Sequence, residues 1–239
     1  MGFLTHRTIT PEYMDSPDVG PEDLSHGLAY IRKVNQRFGG IQAVLRHLKA
    51  WSQNWPSDRP ITILDIATGS ADIPLAIVKW ARSQGKQVRI TAVDLQANVL
   101  AHAARHIQDE PWITLVSADA LKLPYAKGSF DYATTSMFLH HLHDIEVMTV
   151  LKSMSDIARR GMIWNDLTRD TISYSVIKAT TIFAHPIIRH DAVVSIKAGF
   201  TRKEVLAFRD RLDLHTLHYH GHWALRFTLA GEFSRSTSL

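Results

Sequence analysis

The sequence predicts an α/β fold: a mostly parallel seven-stranded sheet with a terminal antiparallel hairpin, N-terminal helices and a helical cap. Three features carry this. Short β-branched runs alternate with amphipathic helical patterns between residues 61 and 166. The first run, ITILDI, leads into the small-residue turn Ala67-Thr68-Gly69-Ser70-Ala71 at the head of a helix. Two further apolar runs, joined by a short loop containing Gly221, end the pattern.

Residues 1–20 are polar and proline-containing, which predicts loose order. Residues 22–51 read as helix with a break at Gly39-Gly40, carrying one stripe of Leu28, Ile31, Val34 and Phe38 and another of Ile41, Val44, Leu45 and Leu48. Residues 51–60 form a linker. Strands follow at 61–66, 88–93, 113–116, 130–134 and 161–166, with helices at 73–83, 96–107 and 145–159. Asp72 is placed to cap the first of these helices, with Pro74 in its first turn. Arg159-Arg160 fall in the last turn of the third, where the helix dipole favours cations. Residues 199–210 read as a helix with Thr201 as N-cap and Glu204 three residues on, a capping box. Strands at 212–218 and 223–229 make the antiparallel pair. The organisation is an N-terminal helical segment, 1–55, covering the cofactor site, then a domain over 56–239 with an insertion at 168–200.

A chain of 239 residues that is 45% apolar can bury a large core. Cysteine is absent, which excludes disulfides, Cys-ligated zinc and a thiol nucleophile. No signal-peptide pattern and no apolar run long enough for a membrane span are present, so a cytoplasmic location is expected. The net charge of +4 comes from scattered cations rather than a basic run, so nucleic acid is not the expected partner.

The small-residue turn lets a ligand press against backbone groups at the carboxyl end of the first strand, where nucleotides bind in open α/β sheets. Four acidic positions narrow the nucleotide. Asp65 precedes the turn; Asp94 ends the second strand, where a carboxylate reaches ribose hydroxyls; Asp119 follows the third, within reach of an adenine amino group; Asp131 opens the fourth. Residues 67–72 contain no Lys or Arg, so the turn offers no cationic cradle for a phosphate.

LDIATGSADIP, AVDLQ, SADALKLPYAKGSFDYATTSMFLHHL and GFTRKEV resemble successive motifs of the Rossmann-like class I S-adenosylmethionine methyltransferases, over residues 61–235. The resemblance implies S-adenosyl-L-methionine as cofactor, held by Asp65, Ala67, Thr68, Gly69, Asp94, Leu95, Asp119, Ala120 and Ser136. Ala67 and Ala71 stand where that family usually has the first and third glycines of the turn. NDLTRD and HPIIRHDAVVSIKAGFT are similar to a bacterial subfamily associated with type III polyketide synthases, implying O-methylation of a phenolic small molecule. FLHHL and the chain plan also resemble ubiquinone/menaquinone C-methyltransferases, so C-methylation of a quinone precursor is the alternative; an RNA-modifying or non-catalytic cofactor-binding protein is a third reading.

Residues 171–188 form an apolar insertion in which Ile172, Val176, Phe183 and Ile187 fall at helical spacing, either as an ordinary core helix or as the roof of an aromatic acceptor pocket. A phenol must lose its proton during transfer, a task for a neutral histidine. His190, in the insertion, and His141, after the fourth strand, are the candidate bases; neighbours in sequence are poorly placed to pair, which ranks Asp191 below His190. His140, Phe183, Arg189 and Asp191 are the expected substrate contacts. His218, His220 and His222 alternate on a strand but lack a carboxylate ligand, so no metal is expected. The partner is a small aromatic or lipophilic substrate, and the protein a monomer or homodimer.

Overall fold

Seven strands form one sheet in the computed structural model, which describes residues 4–16, 18–222 and 225–233. They are Ile61–Ile66 (β1), Val88–Asp94 (β2), Ile113–Ser117 (β3), Phe130–Ser136 (β4), Ala158–Leu167 (β5), His218–His222 (β6) and Arg226–Glu232 (β7). Their order is β3-β2-β1-β4-β5-β7-β6. β1 to β5 run parallel, and β7 lies antiparallel between β5 and β6. The helices are Pro21–Arg37 (α1), Gly40–Trp51 (α2), Asp72–Ser83 (α3), Ala97–Ile107 (α4), Asp144–Ile157 (α5), Thr171–Thr180 (α6), Pro186–Ala198 (α7) and Arg202–Arg211 (α8).

Strand alternation divides the core. Ile61 and Ile63 of β1 face α2 and α3 through Val44, Leu48, Ile77 and Val78. Leu64 and Ile66 face the other layer, with Leu151 and Met154 of α5, Trp164 of β5 and Phe208 of α8. The capping box of α8 forms as expected: Thr201 Oγ1 accepts from Glu204 N–H at 3.3 Å, and Glu204 Oε2 from Thr201 N–H at 2.8 Å.

Five expectations change. α5 ends at Ile157, and Arg159 and Arg160 belong to β5, where an ion pair outcompetes the helix dipole: Arg159 Nε donates to Asp131 at 2.9 Å. Asp131 therefore lies at the amino-terminal end of β4, away from the nucleotide edge. The hairpin is shifted. Residues 212–217 are turn, β6 starts at His218 and takes in Gly221, and Trp223 and Ala224 of the expected second strand lie outside the described residues. The insertion is two helices, broken between Thr180 and Pro186. The N-terminal segment is packed, not loose: Arg7 reaches the backbone oxygens of Ala198 at 2.9 Å and Leu142 at 2.8 Å, lies over the Phe200 ring and pairs with Asp144. The 51–60 linker is packed as well, with Trp51 stacked on Tyr132.

Asp131 is fully buried and accepts from Arg59 at 2.7 and 2.9 Å, from Arg159, and from Thr62 N–H at 3.0 Å. Burial pushes its carboxyl up, but these partners outweigh burial and hold it well below the usual carboxylate range. Asp131→Ala should therefore cost about 2–3 kcal/mol of stability. A depressed carboxylate stabilises above its ordinary pKa of about 3.9, and the contribution is lost on acidification below it. Urea unfolding at neutral pH and near pH ~3 should show the gap between wild type and variant closing at the acidic end.

Candidate active site

β1 ends against a turn in which Ala67, Gly69 and Ala71 all have positive φ, 55°, 55° and 54°. Alanine in this region costs about 1 kcal/mol or more against glycine. The turn is held nonetheless. Thr68 Oγ1 and Thr134 Oγ1 donate to the two oxygens of Asp65, each at 2.7 Å. Ala71 is buried in the α2–α3 core, so its methyl group contributes packing that glycine would lose. Burial pushes the Asp65 carboxyl up to about 6 despite both hydroxyls. Asp65 and Thr68 thus brace the turn from beneath. Ala71, not Asp72, occupies the N-cap of α3; Asp72 is the first helical residue and accepts from Asn35 Nδ2 at 3.0 Å.

Asp94 joins the turn to the end of β2. Its Oδ2 accepts from Gly69 N–H at 3.0 Å and its Oδ1 from Gln96 N–H at 3.1 Å. Asp119 Oδ1 accepts from Leu121 N–H at 2.8 Å. Above these groups opens a cavity of about 330 Å³ lined by Ala67, Gly69, Asp94, Leu95, Asp119 and Ala120, with Leu24, Leu28 and Ile31 of α1 on its other side. Among the described residues its lining holds Glu12, Asp94 and Asp119 and no Lys or Arg. Phosphates would find no counterion there, whereas a sulfonium nucleoside fits the charge.

A second, apolar cavity of about 90 Å³ adjoins it. Glu12, Met14, Ile31, Met137 and His141 line both. Its remaining walls include Tyr30, Val34, Leu167, Ile177, Ile188, Asp191, Ile196 and Arg226. Where the cavities meet lies a buried charge cluster. His140 Nδ1 is 2.6 Å from Asp166 Oδ1, and its Nε2 is 3.7 Å from Glu12 Oε1. Burial opposes a charge on His140, yet the charge and hydrogen bond of Asp166, with Glu12, push it up to about 10. Burial likewise works against the Glu12 carboxylate, but His140, His141 and Ser195 hold it below its ordinary value. His141 Nδ1 is 4.0 Å from the same Glu12 oxygen. Glu12, His140 and His141 are also a group whose ligand atoms lie within 4.8 Å of one another, enough to hold a metal ion by residue type.

The site brings together Ala67, Gly69, Asp94, Leu95, Asp119 and Ala120 around the first cavity, with His140 and Asp191 at the second and His141 at both. Other expected residues lie elsewhere. Ser136 accepts from Asn165 Nδ2 at 3.2 Å and lines neither cavity. Phe183 is 98% exposed, and Ile172 and Val176 also point outward; Ile177 and Ile188, one residue on from Val176 and Ile187, are the ones that turn inward. Arg189 is exposed and off both walls. His190 is off them too: its ring lies 4.3 Å from that of Tyr13, and its Nδ1 is 3.0 Å from Asp191 Oδ1, so the two neighbours do pair. Asp191 also accepts from the backbone N–H of Tyr13 and Met14, at 2.9 and 3.1 Å, tying α7 to the N-terminal segment. His220 and His222 meet His47 of α2 across the sheet, and Thr228 Oγ1 hydrogen-bonds His47 and His222 at 2.8 Å each. Glu12, Asp166 and Arg226 escaped sequence reasoning. The NDLTRD run that contains Asp166 was the available signal; Glu12 sits in a segment without periodicity.

Residues 63–161 match the family model described as a methyltransferase domain, the fold is one that solved S-adenosylmethionine-dependent methyltransferases share, and S-adenosylmethionine is the cofactor that match and fold support. Among known relatives, the ubiquinone/menaquinone biosynthesis C-methyltransferase UbiE of Rickettsia akari (strain Hartford) is 35% identical over 100 residues. That match spans 38% of this chain and 40% of the relative. Of solved structures, the CurJ carbon methyltransferase superposes with a TM-score of 0.63 at 11% identity, over 90% of this chain and 61% of that one. The magnesium protoporphyrin IX methyltransferase of Synechocystis PCC 6803, solved with bound SAH, gives 0.58 at 12%, over 92% and 90%.

Asp94→Ala should weaken S-adenosylhomocysteine binding more than Asp119→Ala. Asp94 is expected to accept both ribose hydroxyls, each charge-assisted bond worth roughly 1.5–3 kcal/mol, and it also holds Gly69 in place. Titration calorimetry on both variants checks this; an equal or reversed loss would mean that the second strand's end does not face the ribose.

Proposed function

We propose that this chain transfers a methyl group from S-adenosylmethionine to a ring carbon of an electron-rich hydroxylated aromatic, a hydroquinone or polyketide-type phenol. The observation that carries the reading is the junction of the two cavities: an apolar chamber meets the cofactor cavity at one ionisable pair, Glu12 and His141. The mostly apolar lining favours a substrate whose body is a ring or alkyl chain. The quinone C-methyltransferase named among the relatives supports attack from carbon. O-methylation of a phenolic acceptor, the reading supported by the likeness of NDLTRD and HPIIRHDAVVSIKAGFT to the subfamily associated with type III polyketide synthases, is the second reading, because the same base serves an attacking hydroxyl.

The cofactor supplies an electrophilic methyl group beside a positive sulfur. His141 takes the acceptor's hydroxyl proton, and the freed electron pair activates the ring carbon or the oxygen itself; after attack from carbon, the ring C–H proton is lost and the oxygen is reprotonated, which restores the aromatic ring. Glu12 orients His141 and stabilises the imidazolium that forms. His140, held charged between two carboxylates, is unavailable as a base at neutral pH.

His141→Ala should lower kcat by about 10²–10⁴-fold and leave S-adenosylhomocysteine affinity within a few-fold. The assay is mass-spectrometric detection of methyl gain on a naphthohydroquinone or an alkylresorcinol, with NMR to place the methyl on carbon or oxygen. Wild-type kcat in the variant would remove His141 from proton transfer. EDTA should not affect turnover. If it abolishes activity and magnesium or zinc restores it, a cation works among Glu12, His140 and His141 and the acid–base scheme fails.

A further inference from the structure

We propose that Arg226 is an anion-recognising residue of the acceptor cavity, selecting an aromatic acceptor that carries an anionic oxygen besides the hydroxyl that loses its proton. The inference rests on the proposed aromatic acceptor. Arg226 opens β7 and lines the second cavity while only 2% exposed. One arm of its guanidinium is used: Nη2 donates to Asn35 Oδ1 at 3.0 Å, and Asn35 in turn donates to Asp72. The other arm is not: Nη1 has no hydrogen-bond partner. Asp166 and Asp72 act on Arg226 only through their charge, and burial outweighs them in pulling its pKa down to about 10, so the group stays cationic at neutral pH.

A buried guanidinium that no carboxylate touches is costly. Two common ways of removing that cost are absent from its surroundings. The neighbours that would neutralise it are committed elsewhere: Asp166 holds His140 and the Trp164 indole N–H, and Asp72 holds Asn35. Nor does the arginine leave for solvent, because Asn35 and the β5–β7 ladder fix it in place. What remains is a partner that arrives with the substrate. An oxyanion on the acceptor ring supplies the missing acceptor for Nη1 and the missing counter-charge together, and the planar guanidinium favours a carboxylate or phenolate over a neutral carbonyl. The arrangement also gives direction. The acceptor's anionic oxygen lies toward Arg226, and its reacting hydroxyl toward Glu12 and His141 on the cofactor side of the same chamber.

The test measures binding, so it is independent of methyl transfer. Protein saturated with S-adenosylhomocysteine is titrated by calorimetry with three probes: β-resorcylic acid, which carries a carboxylate; para-nitrocatechol at a pH where its acidic phenol is ionised; and resorcinol, which is neutral. Wild type should bind at least one anionic probe about tenfold or more tightly than resorcinol, as expected for a charge-assisted contact. Whichever anion wins identifies the oxygen as carboxylate or phenolate. In Arg226→Met that preference should vanish while S-adenosylhomocysteine affinity stays within about threefold, and Arg226→Lys should keep part of it. Wild type that binds all three probes alike would overturn the proposal, as would a preference that survives in Arg226→Met. If the methionine variant fails to fold, the wild-type comparison and the lysine variant still decide it. A preference for anions without methyl transfer to any probe would retain Arg226's role and count against the proposed reaction instead.

Discussion

The contact on which the site depends is the buried pairing of His140 with Asp166. Asp166 belongs to β5, the fifth strand of the sheet; His140 follows the fourth. A charged imidazole at 1% exposure is tolerable only because carboxylates stand on both sides of it. Asp166 is doubly engaged, since its other oxygen takes the Trp164 indole N–H at 3.1 Å. The second carboxylate, Glu12, comes from a stretch with almost no regular structure. The ion cluster therefore holds the N-terminal segment onto the carboxyl edge of the sheet, assisted by Ser195 of α7, whose hydroxyl donates to Glu12. Arg7 fixes the same segment from the other side through the backbone around His140.

The two cavities differ in how they are made. The cofactor cavity is built by backbone: a left-handed turn, two strand ends and short aspartate caps. The second cavity is built by side chains from seven separate places, among them α1, the strap carrying Glu12, α7 and β7. A backbone site tolerates alanine at two glycine positions because the threonine–aspartate brace fixes the turn. A side-chain site has no such reserve, since each wall residue depends on the packing of a different element.

That contrast explains what could be read in the sequence. Strand periodicity, the small-residue turn and Asp94 are local signals, and the sheet and cofactor edge follow from them. Asp65 was visible as an acid, but its role as a brace depends on Thr134, sixty-nine positions away in sequence. The insertion's helical spacing was legible, yet the face it buries depends on where the chain breaks between α6 and α7; with the break at 181–185, Ile177 turns inward and Phe183 outward. Arg159 and Arg160 obeyed a pairing partner rather than the end of a helix. Glu12 and Arg226 carry no local pattern: one meets the site from near the start of the chain, the other from the last strand.

The family-model match covers the sheet's cofactor half and stops at residue 161, short of Asp166, the insertion and Arg226, and it begins well after Glu12. The matched stretch holds the strand ends and the turn of the larger cavity, whereas most walls of the smaller one lie outside it. Substitutions that reshape the smaller cavity therefore fall mostly outside the matched stretch, and those that loosen the left-handed turn fall within it.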